Sequence, residues 1–89
     1  MEPDQIKSIE EMAGALMTPT EIAILLNQDT KKFVYQATQK PDSEIYIAYQ
    51  KGRLNTKLEL RKKVIMLAKA GSPQAEVLAD KYLIDTENI

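Results

Sequence analysis

The stretch from Thr18 to Gln39 constrains the fold most, because it contains two helix starts and one helix stop within 22 residues. Thr18 is placed to cap a helix with its hydroxyl, and Pro19 then takes the first helical position, where a missing N–H costs nothing. Glu21 follows three residues after the cap and is spaced to bond back to it, closing a capping box. Ile22, Leu25 and Leu26 fall on one face beside small Ala23, and Asn27-Gln28-Asp29 breaks the pattern. Asp29 caps a second helix that carries Lys31 and Lys32 in its first turn and buries Phe33, Val34 and Ala37.

Two short helices joined by a tight polar turn can set one helix in a DNA groove, so the segment reads as a helix-turn-helix. A small residue suits position 23, where a larger one would push the helices apart, and a turn residue tolerant of positive φ suits position 27. Gln36 stands where an aliphatic residue is more usual. The same pattern also fits two helices of a small bundle that touch no nucleic acid.

Elsewhere the chain also reads as helix, giving an all-α fold. A first helix is expected over about Pro3–Met17, with Ile6, Ile9, Met12, Ala13 and Leu16 on one buried face. Lys40-Pro41-Asp42-Ser43 is a break, since proline disfavours helix in the residue before it. A long helix then runs from about Ser43 to Ala70, with Gly52 as a bend or a close-packing point. Gly71 ends it, Ser72-Pro73 restarts, and a short last helix continues to about Leu83, leaving Asp85–Ile89 as a frayed tail. In domain terms, residues 1–40 form the helix-turn-helix part and 41–89 a packing or oligomerisation part of one compact domain.

Composition excludes several kinds of chemistry. With 89 residues the core is modest, and 44% hydrophobic content is enough for a globular fold. The absence of cysteine and histidine removes disulfides, thiolate zinc sites, cysteine nucleophiles and imidazole bases together. No glycine loop cradles phosphate, since Gly14, Gly52 and Gly71 are scattered. We therefore expect no enzyme activity, no catalytic residue, no metal site and no cofactor. No apolar run approaches the ~20 residues that span a bilayer, so no membrane partner and a cytoplasmic location are expected.

Net charge is only −1, but it is unevenly spread. Residues 1–30 hold six acids (Glu2, Asp4, Glu10, Glu11, Glu21, Asp29) against Lys7. Residues 51–69 hold seven bases (Lys51, Arg53, Lys57, Arg61, Lys62, Lys63, Lys69) against Glu59, and residues 71–89 hold four acids against Lys81. A polyanion responds to local potential, since charges beyond a Debye length of about 8 Å are screened. Double-stranded DNA is therefore an admissible partner for the middle of the chain. On that reading Thr30, Lys31 and Lys32 approach phosphates or base edges, and Tyr35, Gln36 and Gln39 lie further along the exposed side. Gln36 or Gln39 can pair with adenine, and Lys51, Arg53, Lys57, Lys62 and Lys63 add phosphate contacts. Each of these lysines also reads as a solvated surface charge, which is a commoner role for a lysine than a contact.

The long helix carries two apolar stripes, one of Tyr49, Leu60, Val64 and Leu67 and one of Ile47, Leu54, Leu58, Ile65 and Ala68. Two stripes exceed what one flank of a small domain needs. Either Leu54, Leu58 and Ile65 meet a neighbouring subunit, or the last helix covers them through Ala75, Val77, Leu78, Tyr82 and Leu83.

Ile47-Ala48-Tyr49-Gln50-Lys51-Gly52-Arg53, then Glu59-Leu60-Arg61, then Leu67-Ala68-Lys69-Ala70-Gly71-Ser72-Pro73-Gln74-Ala75 resembles the segment after the helix-turn-helix in phage small terminase subunits and related homeodomain-like phage proteins. There an "AYxxG" turn leads into a long helix, and an "A-x-x-G-x-x-x-A" break precedes the last one. The resemblance spans about residues 18–83. It implies a viral DNA-packaging factor that binds genomic DNA, assembles as a homo-oligomeric ring and hands DNA to a large ATPase and nuclease subunit in the bacterial host cell. The second helix here lacks the arginine that usually reads guanine, which points to shape and phosphate recognition. A helix-turn-helix transcription regulator, dimeric on a palindromic site, and a helical interaction module whose acidic ends bind a basic partner are the competing expectations.

Overall fold

The computed structural model describes residues 1–87, and these contain five helices and no strand. They are α1 (Pro3–Gly14), α2 (Pro19–Leu25), α3 (Thr30–Gln39), α4 (Glu44–Lys69) and α5 (Pro73–Glu87).

Three of these helices end in the same way. After α1, Met17 N–H donates to Met12 C=O at 3.2 Å and Leu16 N–H to Ala13 C=O at 2.9 Å. After α2, Gln28 donates to Ala23 at 2.9 Å and Asn27 to Ile24 at 3.2 Å. After α4, Ser72 donates to Leu67 at 3.1 Å and Gly71 to Ala68 at 3.0 Å. These paired bonds form a Schellman stop, which needs one residue at positive φ. That residue is Leu16 (φ 63), Asn27 (φ 54) and Gly71 (φ 99) in turn.

Glycine and asparagine tolerate this region, but leucine does not. The stop ends α1 at Gly14 instead of near Met17, and it turns Leu16 out of the expected buried face to 57% exposure. We expect Leu16→Gly to relieve this strain and stabilise the fold by about 0.5–1 kcal/mol. A thermal melt checks this, with a midpoint rise of roughly 2–8 °C expected. An unchanged or lower midpoint would mean that the Leu16 side chain holds more of the structure than its exposure suggests.

The helix starts match the cap chemistry. Glu21 N–H donates to Thr18 Oγ1 at 3.2 Å and Thr18 N–H to Glu21 Oε1 at 2.9 Å, so the capping box is formed. Asp29 Oδ1 accepts Lys32 N–H at 2.9 Å, and the hydroxyls of Ser43 and Ser72 accept from Ile45 (3.1 Å) and Ala75 (3.4 Å). At the last helix the frayed-tail expectation fails over 85–87, because α5 continues to Glu87. The remainder of that expectation, residues 88 and 89, lies outside the described residues.

The chain separates into two units, Met1–Thr56 and Lys57–Ile89, with the division inside α4. In the first unit Ile9 and Ala13 of α1, Ile22 and Ala23 of α2, Phe33 and Ala37 of α3, and Ile45 and Ala48 of α4 make one buried cluster. Ile6, Met12, Met17, Leu26 and Tyr49 pack around it. Gly52 is a close-packing point: a Cβ built there would lie 2.1 Å from the Glu10 carbonyl oxygen. One turn further, Thr56 Oγ1 donates to the Gly14 carbonyl at 2.6 Å. The Ala48–Gly52 segment, likened above to a turn, is helical throughout.

The second unit is a helical hairpin with little of its own core. Among its described residues only Ala75 is buried, with Arg61, Val64, Ala68, Ser72, Ala79 and Tyr82 half-buried. The Arg61 guanidinium carbon sits 4.1 Å from the centroid of the Tyr82 ring. Val77, Leu78 and Leu83 do not cover the second stripe, since they are themselves exposed along with Leu58 and Ile65. Each such half-exposed side chain forgoes about 1 kcal/mol of burial.

Candidate nucleic-acid interface

Burial of Phe33 and Ala37 fixes which side of α3 faces inward, and the rest of the helix follows from its period. Thr30, Lys31, Lys32, Tyr35, Thr38 and Gln39 are exposed, and Gln36 is half-buried. Tyr35 is 57% exposed, a large side chain kept on the surface. Thr38 is less available than its exposure suggests, because its hydroxyl donates to the Val34 carbonyl at 2.7 Å. The helix thus presents two lysines at its start and tyrosine and glutamine further along.

Lys31 and Lys32 occupy an electrostatically unfavourable place. The first turn of a helix carries partial positive charge from its free N–H groups, so a cation there costs a few tenths of a kcal/mol. Asp29 offsets part of this, since its carboxylate accepts the Lys32 N–H. Neither lysine has a carboxylate within 4 Å among the described residues, where the ion pair found is Lys51–Glu10 at 3.7 Å.

Gln36 has a local explanation. It lines an open concavity of about 280 Å³ with Gln5, Gln28, Asp29 and Lys32, over Phe33. An aliphatic side chain would gain little in so polar a setting. Gln5 and Gln28 were not among the residues singled out from sequence. Gln5 reaches this place only through the packing of α1, and no spacing along the chain signals that.

The other basic candidates belong to α4 and not to α3. Lys51 sits at the α1–α4 crossing, offset by Glu10, on the rim of a 480 Å³ groove floored by Ile6, Ile47 and Ala48. Arg53 is exposed on the first-unit half of α4. Lys57, Lys62 and Lys63 are exposed on the second-unit half. Of the expected subunit contacts, Leu54 is exposed in the first unit and Leu58 and Ile65 in the second.

Among the described residues no group of three or more acidic side chains is placed to hold a metal ion. No helix there is long and apolar enough to cross a membrane. Comparison with protein-family models, curated proteins and solved structures finds no match to this chain.

Proposed function

We propose that the chain is a non-catalytic subunit that binds double-stranded DNA, using α2, its turn and α3 as a helix-turn-helix. The observation that carries this is the pair of exposed lysines at the start of α3, without an ion pair among the described residues, where the helix's own field disfavours cations. A phosphate would remove that penalty, as both the lysines and the helix terminus attract an anion. Further along α3, Tyr35 and Gln39 can reach base edges, and Gln36 can do so from the lip of its concavity.

With no arginine on α3, affinity on this reading comes chiefly from phosphates and selectivity from groove shape. The resemblance over residues 18–83 supports a role in viral DNA packaging, with the bound duplex passed to a separate ATPase and nuclease subunit.

Duplex retardation across a salt series tests the reading. With four or five phosphates neutralised, the slope of log K against log salt is expected near about −4. Absence of binding at low salt, or a flat response, would leave a helical protein-interaction module instead.

A further inference from the structure

From the hairpin of the second unit we infer that the chain pairs with a second copy of itself, α5 of each copy lying on α4 of the other. This does not rest on the DNA reading, and it sets a two-fold pair where the resemblance implies a ring. The buried and half-buried residues of the hairpin match across its turn: Ala68 with Ala75, Val64 with Ala79, and Arg61 with Tyr82, whose guanidinium and ring are stacked. They mark the seam between the two antiparallel helices. At 100° per residue, Leu58 and Ile65 fall to one side of that seam on α4, with Lys62 and Lys69 next to them. On α5, Leu83 falls to one side with Glu76, Asp80 and Glu87 next to it. Because both helices are right-handed and run in opposite directions, these two flanks belong to the same face of the hairpin.

That face is apolar in the middle, basic along α4 and acidic along α5, and its apolar residues are exposed. A surface split in this way is complementary to a copy of itself. Two-fold pairing can be arranged in two ways. An axis across the helices would set α4 on α4 and lysine against lysine. An axis along the helices sets α5 on α4, so that Glu76 and Asp80 meet the lysine edge of the other copy while Leu58, Ile65 and Leu83 close a four-helix core. Charge selects the second. The opposite face, with Leu60, Leu67 and Leu78 beside Lys63 and Asp85, has no such division. In this pairing Lys62 faces a partner carboxylate and not a phosphate, while Lys63 stays free.

The test is the mass of the full chain in solution without DNA. Twice the 10.1 kDa chain mass is expected, and Ile65→Glu is expected to return it to one. Since that variant can also loosen the hairpin itself, charge-reversed chains supply the second measurement. Lys62→Glu with Lys69→Glu in one chain, and Glu76→Lys with Asp80→Lys in another, should each weaken self-association about tenfold or more. Mixed together, the two variants should recover a mixed dimer. A monomer at all concentrations, a particle of three or more chains, or mixing without recovery would each overturn the inference.

Discussion

Replacing Gly52 with alanine is expected to destabilise the first unit by about 2–3 kcal/mol, although alanine is the better helix former. The added Cβ would lie 2.1 Å from the Glu10 carbonyl oxygen, 2.9 Å from its carbon and 3.0 Å from Ala13 Cβ. The first two are backbone atoms of α1, so no rotamer change relieves the clash and the helix itself has to move. Moving it pulls Ile9 and Ala13 away from the cluster they share with Phe33 and Ile45. Small domains hold roughly 0.05–0.15 kcal/mol per residue, so this loss consumes much of what a unit of this size has. A midpoint fall of roughly 10–20 °C is the expected reading. Gly14→Ala is the matched control, because its Cβ meets only the Gly52 carbonyl and Thr56 Oγ1, each at an ordinary 3.5 Å. It should stay within about 0.5 kcal/mol of the parent. Equal effects from the two substitutions would show that the crossing is not held by close backbone approach.

Gly52 also shows where sequence reading stops. The residue type announces a bend or a close approach, but the atom it approaches belongs to a helix some forty residues earlier. Chemistry that acts within one turn was readable: the Thr18–Glu21 box, the Asp29 cap, the positive φ at Asn27 and the stop at Gly71 all follow from neighbours three to five residues apart. Leu16 adopts the same stop with no residue-type signal, so its spacing points to the core while its backbone turns it outward.

The separation of units at Thr56 was invisible for a related reason. Proline and glycine mark irregular backbone, whereas this division falls within an unbroken helix. Periodicity displayed the two stripes of α4 as well, but not what covers them. On α3 the outward residues were legible by elimination once Phe33 and Ala37 were placed inside. The concavity beside Gln36 was not, because Gln5 enters it from another helix.

Reversing both lysines of α3, Lys31→Glu with Lys32→Glu, is expected to weaken duplex binding about a hundredfold or more. Two favourable phosphate contacts are lost and two repulsive ones take their place. The slope of log K against log salt should also shrink by about 1.8, the share of two phosphates. The stability change should have the opposite sign. Glutamate suits the first turn of a helix where lysine does not, so the variant should melt at or slightly above the parent temperature, even with Asp29 adding some repulsion. Both side chains are exposed and neither makes an ion pair among the described residues, so little packing and no such pair is lost with them. Opposite movements of affinity and stability are what separate a binding residue from a structural one at this position. A variant that keeps parental affinity would remove α3 from DNA recognition. One that loses affinity together with helical signal would show that these lysines support the fold through contacts that the exposed surface of α3 does not reveal.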